Sequence, residues 1–273
     1  MDKKDDSNPL AQVHDTLDKM ETLGPESVFH FRCHKGLKCW GDCCKNPNLF
    51  LTPYDVIRLR GALKMNSGQF LEKFTESYVG HDFGLGVVRM KPNGRGECPF
   101  LAPEGCSVYQ DRPTSCRTYP IGQGVSSGTG KGDAGKAFFT IKEDHCLGWR
   151  EDTPWTVEKW LASQQVFDYN KENEFVVHLA FHPALGDPDK LDEKAVAMIF
   201  MALYDLDRFR QFVFKSSFSK RFKLDGELLE KARENDMALM EIGRRWISFF
   251  ALQGETALPI REPGDPGKNE SFE

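Results

Sequence analysis

Eight cysteines are confined to the stretch from Cys33 to Cys146, and no other feature constrains this chain as strongly. Cys33, Cys39, Cys43 and Cys44 fall in FRCHKGLKCWGDCCKN, where the last two are adjacent. Cys98, Cys106 and Cys116 form a second block, and Cys146 stands alone. Hydrophobic packing does not ask for thiols at such spacing. A soft metal centre does, because zinc and the irons of iron–sulfur clusters both prefer sulfur ligands.

At 273 residues the chain is long enough for one large domain or two smaller ones. A formal charge of −5 gives no global basic footprint, so no nucleic-acid partner is expected. The opening MDKKDDSNPL lacks the apolar run of a secretory signal. The longest uncharged apolar run, AVAMIFMALY, falls well short of the ~20 residues of a bilayer span. A cytoplasmic protein without membrane association is expected. In a reducing compartment an even cysteine count points to metal or redox chemistry rather than to disulfides.

The expected fold class is α+β and mostly α-helical, with cysteine-rich metal-binding loops and a small β-sheet packed with a helical C-terminal half. The expected division is a cysteine-cluster domain over 25–150 and a helical region over 151–253 packed on it. Residues 1–8 and 254–273 read as flexible tails. An amphipathic helix is expected over 10–23. Thr52 as N-cap, Pro53 at the first helical position and Asp55 mark a helix start. A second helix from Ser67 would place Phe70, Leu71, Phe74 and Tyr78 on one face. Short strands are expected over 85–90 and from Ala137, with a loop over 122–136 between. From Thr153 onward the pattern predicts helices: one anchored by Trp155, Trp160 and Phe167, one long buried helix through YDLDRFRQFVF, and one over ELLEKARENDMALMEIGRRWISFFAL.

The spacings are C-x5-C-x3-C-C, then C-x7-C-x9-C, with no pair of C-x-x-C knuckles such as zinc ribbons carry. Eight thiols are enough for two four-cysteine zinc sites. Adjacent Cys43 and Cys44 diverge unless the backbone turns, and Gly41 offers a place for that turn. They serve two metal atoms more readily than one, which favours a multi-iron cluster or two nearby ions. Pro99 after Cys98 and the aromatic and apolar neighbours Trp40, Phe100, Leu101, Tyr109 and Tyr119 favour iron–sulfur over zinc. His34 and His145 adjoin cysteines but read as solvent-facing or as donors to a sulfur. Arg112 and Arg117 flank Cys116 and read as cations that offset thiolate charge and pair with Asp111 or backbone carbonyls. GKGDAGK over 130–136 lacks the hydroxyl residue and the following helix of a phosphate loop.

The run from FRCHKGLKCWGDCCKN into TPYD, followed by CPFLAPEGCSVYQDRPTSCRTYP, resembles the zinc- or iron-chelating cysteine-cluster family of CxxCxxCC type. The later HCLGW and WTVEKWLASQQ resemble that family's next block, and YDLDRFRQFVF resembles the C-terminal part of its longer bacterial members. The five residues between Cys33 and Cys39 also resemble that longer subfamily, where shorter members open on C-x-x-C. The resemblance implies a metal-binding module whose ligands are Cys33, Cys39, Cys43, Cys44, Cys98, Cys106, Cys116 and Cys146. An iron–sulfur cluster acting in electron transfer, sensing or metal handling is the leading expectation. A structural zinc module that binds a protein partner is one alternative. An enzyme is the other, because flagellin lysine N-methylases share a similar cysteine block, although no glycine-rich SAM-binding turn follows a predicted strand here.

Overall fold

The computed structural model describes residues 22–79, 85–125, 136–182, 185, 192–252 and 258–261. In chain order the elements are β1 (Val28–His30), β2 (Phe50–Leu51), α1 (Pro53–Ala62), α2 (Ser67–Phe74), β3 (Thr75–Val79), β4 (Gly86–Met90), β5 (Leu101–Ala102), β6 (Gly105–Cys106), α3 (Thr114–Thr118), β7 (Ile121–Val125), β8 (Lys136–Thr140) and β9 (Pro154–Thr156). Then follow α4 (Val157–Ser163), α5 (Val166–Ala180), α6 (Glu193–Leu203), α7 (Leu206–Lys215), α8 (Phe218–Arg221), α9 (Gly226–Lys231) and α10 (Asp236–Ala251). The class is α+β, mostly helical, with small antiparallel sheets. Among the described residues no helix is long and apolar enough to cross a membrane.

The chain forms two compact units. One comprises the described residues up to Phe50 together with Pro92–Glu172, and the other comprises Leu51–Lys91 with the described residues from Asn173 onward. Both are discontinuous in sequence, unlike the contiguous division at 150/151 expected above. The reason lies in α1, α2 and the β3–β4 hairpin. Val56, Leu59 and Phe70 are buried stripes that need a core, and in their unit α2 packs on α7 and β4 on α6.

In the first unit β1 and β9 pair antiparallel, with Phe29 opposite Trp155, and β7 pairs with β8. Phe29, Ile121 and Phe138 of these strands make one core with Phe31, with Val157, Trp160 and Leu161 of α4, and with Val166 of α5. Phe31 is its hub, meeting Trp149, Trp160 and Tyr119 at ring separations of 5.5, 5.7 and 6.0 Å. Indole N–H groups are satisfied from within: Trp155 donates to the Phe31 carbonyl and Trp160 to the Thr118 carbonyl. This use of Trp155 overrides the helix expected from Thr153. Pro154–Thr156 is extended, and Thr156 caps α4 by accepting from the Lys159 amide. Gln165, at φ 58, then separates α4 from α5. Trp155 and Trp160 anchor the core as expected, while Phe167 is exposed.

In the second unit α1 opens as the sequence predicts, with a full capping box between Thr52 and Asp55. The second helix ends at Phe74, so Tyr78 lies in β3 opposite Val87 rather than on a helical face. The expected long helix is two, α6 and α7, because Asp205 and Asp207 turn to the buried Ser67. Ser67 donates its hydroxyl to Asp205 at 2.7 Å and its amide to Asp207 at 2.6 Å. Asn235 likewise caps a separate α10 instead of letting α9 run on. Within the expected C-terminal tail, 258–261 is ordered: Leu258 is buried and Phe222 bridges Ile260, so an apolar residue and two backbone bonds hold it. Residues 1–21, 126–135, 254–257 and 262–273 lie outside the described residues. So do the expected first helix up to residue 21, the 130–135 motif and the rest of both tails.

Arg60 lies beneath this network, bonded to Asp236 and at 3.4 Å from Asp207. Arg210 reaches the same two carboxylates at 2.6 and 2.9 Å. Burial alone raises the Asp207 carboxyl, but the Ser67 amide, Arg60, the Ser67 hydroxyl and Arg210 together hold it below its usual value. A carboxyl more acidic when folded stabilises fully above about pH 4 and loses that contribution as pH falls through its folded value. Arg60→Met is expected to cost about 1.5 kcal/mol at pH 7, because it removes one of the two guanidiniums that Asp207 and Asp236 share and leaves Arg210 as the other. The deficit, measured by urea denaturation, is expected to narrow below about pH 4. A pH-independent deficit would show that lost packing, not lost charge, is what Arg60 supplies.

Candidate metal centre

Asp42–Cys44 is one 3-10 turn entered through Gly41 at φ 85, so Gly41 makes the turn its sequence position suggested. A backbone clip then joins the two cysteine blocks. The Cys98 amide donates to the Cys44 carbonyl at 2.8 Å, the Asn46 amide to the Gly96 carbonyl at 2.8 Å, and Lys45 bridges Glu97. Downstream, Leu101 pairs with Cys106 across β5–β6, while its amide reaches back to the Cys98 carbonyl at 3.1 Å. Gly105, at φ 114, lies under the Trp40 indole; a Cβ there would come within 3.1 Å of the ring. Trp40 of the first block thus closes over the second.

Cys146 reaches the first block by another route. It precedes a 3-10 turn, Leu147–Arg150, whose first amide, that of Leu147, donates to Cys39 Sγ at 3.2 Å. The Arg32 amide donates to the Gly148 carbonyl at 3.1 Å, which sets Cys33 beside the same turn. Gly148 permits this approach, because a Cβ would fall 2.6 Å from the Phe31 ring. Cys146 itself packs against the aromatic core. None of the eight cysteines is joined in a disulfide, and all eight lie in the first unit.

Their electrostatics are mutual. The protein around the Cys33 sulfur pushes that thiol up to about 11, and Cys43, Cys146 and Cys39 add to the rise. The adjacent thiols act on each other: Cys44 brings Cys43 down to about 7, and Cys43 together with burial drives Cys44 strongly up. Cys44 also feels Cys98 and Cys116. Burial raises Cys98 and Cys106, against the pull of main-chain amides: Phe100 and Leu101 at Cys98, Val108 at Cys106. Amide hydrogen bonds to sulfur are the outer-shell contacts that favour thiolate ligation. The sequence offered no sign of them, because any residue supplies an amide and only the turn aims it.

Arg112 and Arg117 are buried and held by the fold. Arg112 donates to the Tyr109 carbonyl and to Gln164 Oε1 at 2.7 and 2.6 Å, and its guanidinium lies 4.0 Å over the Tyr109 ring. Burial lowers its pKa, whereas Tyr109, Cys116 and Cys106 raise it, so its charge sits where thiolate charge gathers. Arg117 donates to the carbonyls of Arg112, Gln164 and Gln110 and stacks on Tyr169. Backbone carbonyls are partners of both, and the Gln164 side chain is a further acceptor for Arg112. His34 and His145 face carboxylates, Glu151 and Glu143, each at 3.4 Å. Glu143, which also acts on Cys43 and Tyr119, had no sequence signal.

Among the described residues no three His, Cys, Asp or Glu side chains stand as a ligand set around one ion. The structure nevertheless brings the blocks together and turns the Leu147 amide toward Cys39 Sγ, while main-chain groups hold down the rise at Cys98 and Cys106. That donor set, eight cysteines outside any disulfide, has the chemistry of a thiophilic metal's ligands. Residues 32–147 match the model of the CxxCxxCC family, described as "Putative zinc- or iron-chelating domain". No solved structure matches the chain. The matched span contains every cysteine, so the similarity to a zinc- or iron-chelating domain rests on the whole cysteine set.

Leu147→Pro removes the amide that donates to Cys39 while keeping a residue suited to a turn's first position, and the extended backbone of Cys146 tolerates a following proline. The variant is expected to lose about tenfold in metal affinity, as outer-shell losses do. Competition with a chromogenic chelator measures this, and unchanged affinity would remove the amide from the site.

Proposed function

We propose that the chain is an iron–sulfur protein of the cytoplasm, acting in electron transfer, sensing or metal handling, with its cysteines as the cluster ligands. One observation carries this reading: a main-chain amide aimed at Cys39 Sγ, beside an aromatic core against which Cys146 packs. Amide bonds to sulfur and exclusion of water are two of the ways a protein tunes a cluster's potential. When bound, the cluster supplies reversible one-electron chemistry. The chain's own residues hold and shield it. Trp40 closes over Gly105, Tyr119 and Phe31 back Cys146, and Arg112 offsets thiolate charge near Cys106 and Cys116.

Anaerobically purified protein is expected to contain iron and acid-labile sulfide and to show a broad visible thiolate-to-iron band that bleaches on oxidation. Stoichiometric zinc with no visible band would overturn the iron–sulfur reading in favour of a structural zinc module.

Metal removal is expected to loosen the first unit selectively, because the free energy of metal binding becomes folding free energy where thiols alone do not close a site. Limited proteolysis after chelation is expected to cut within 33–50 and 92–120 before it cuts α10. Equal protection with and without metal would remove any structural role for it.

A further inference from the structure

We infer that the second unit carries a docking edge for an extended acidic peptide segment of a protein partner. The edge is formed by α8 with the ordered segment Leu258–Arg261, and the guanidiniums of Arg221 and Arg261 head it. It lies wholly in the unit without cysteines, so it stands apart from the metal-binding reading.

From Arg208 to Lys223 the sequence holds six cations and no carboxylate, in a chain whose formal charge is −5. Arg210 is engaged by Asp207 and Asp236. Lys215, Lys220 and Arg221 are exposed, and among the described residues neither they nor Arg261 form an ion pair. Just beyond, by contrast, Lys231 pairs with Glu227 and Arg233 with Glu230.

Phe222 gathers the two arginines. Its buried ring packs on Phe218 and Phe249 at centroid distances of 4.9 and 5.3 Å, which fixes its place. It bridges Ile260, with the Arg261 amide donating to the Arg221 carbonyl at 2.9 Å and the Lys223 amide to the Pro259 carbonyl at 2.7 Å. Arg261 donates through Nε to the Phe222 carbonyl at 3.3 Å, and the Arg221 guanidinium lies 5.5 Å from the Phe222 ring centroid. Like charges at opposed positions of a strand pair destabilise it. A carboxylate between them removes that repulsion and gains the forked N–H bonds that arginine offers.

The main chain selects an extended ligand. In an antiparallel bridge, successive residues turn their amides and carbonyls to opposite edges. Pro259 and Arg261 face 221–223, so Ile260 turns its own amide and carbonyl to the outer edge, and its side chain is exposed. An added strand bonds there through its backbone while its acidic side chains meet the arginines. Other polyanions fit less well. Directly past Lys223 the chain turns acidic, with exposed Asp225, Glu227 and Glu230, and these repel a long nucleic-acid backbone. Phe218 and Phe222 are buried, so the broad apolar face of a membrane-seated helix is missing.

Fluorescence anisotropy of a labelled hexaglutamate peptide, titrated with the full chain at low salt, tests the edge. Hexaglutamate is expected to bind and hexaglutamine to fail. Arg221→Gln/Arg261→Gln is expected to weaken binding about tenfold. Lys171→Gln/Lys194→Gln, a charge-matched change at exposed positions of α5 and α6, is expected to leave it unaltered. A photo-crosslinking form of the peptide, used on the wild-type chain so that no variant has to fold, is expected to label 215–223 and 258–261. Crosslinks confined elsewhere, equal loss in both variants, or no hexaglutamate binding would overturn the inference. Phosphatidylserine-containing vesicles that bind the chain through the two arginines, where hexaglutamate does not bind, would overturn it in favour of a membrane surface.

Discussion

The backbone clip between Cys44 and Cys98 is the constraint on which the first unit depends. It closes a loop of about fifty residues, from Asn46 to Gly96, most of which belongs to the other unit. Closing a loop of that length costs about 3.5 kcal/mol from chain entropy alone. A few backbone hydrogen bonds at about 1 kcal/mol each only just offset that. Metal held by thiolates from both sides of the clip would contribute more, about 10 kcal/mol or above in small zinc domains. The cysteine blocks are therefore both the product of the clip and the means of securing it.

Around this clip the protein uses aromatic mass in place of regular secondary structure. The pairs in β1–β9, β5–β6 and β7–β8 are too short to be stable alone. Phe31, Trp149, Trp155 and Trp160 supply the buried area that holds them, and their N–H groups find main-chain acceptors inside the core. The same rings form the apolar backing of Cys146. Packing that stabilises the unit thus also sets the polarity of the candidate centre, so a core substitution at Phe31 acts on both.

The second unit is built by other means. Its helices carry conventional apolar stripes, and its specificity comes from a polar knot in which Ser67, Asp205, Asp207, Asp236, Arg60 and Arg210 bond to one another. Such a knot adds little net stability over an apolar one but penalises any register that leaves a charge unpaired. It explains why α6 and α7 break where they do. None of its residues approaches the chemistry of the cysteine blocks in type, and no thiol lies in that unit.

The sequence by itself determined the class of chemistry and several local starts. Thiols at those spacings have no packing purpose, Thr52-Pro53 caps a helix by side-chain geometry alone, and Gly41 makes a turn open to few other residues. These are short-range facts, and short-range physics decides them. The tertiary structure decided what depended on distant partners. Tyr78 left its helical stripe because 86–90 offered a strand to pair with. Trp155 left a predicted helix because its indole N–H bonds to the Phe31 carbonyl. The Asp205 break needed Ser67, far away in the chain. The amides at Cys39, Cys98 and Cys106 are invisible in any residue alphabet, since every residue but proline carries one and only the folded path aims it at a sulfur.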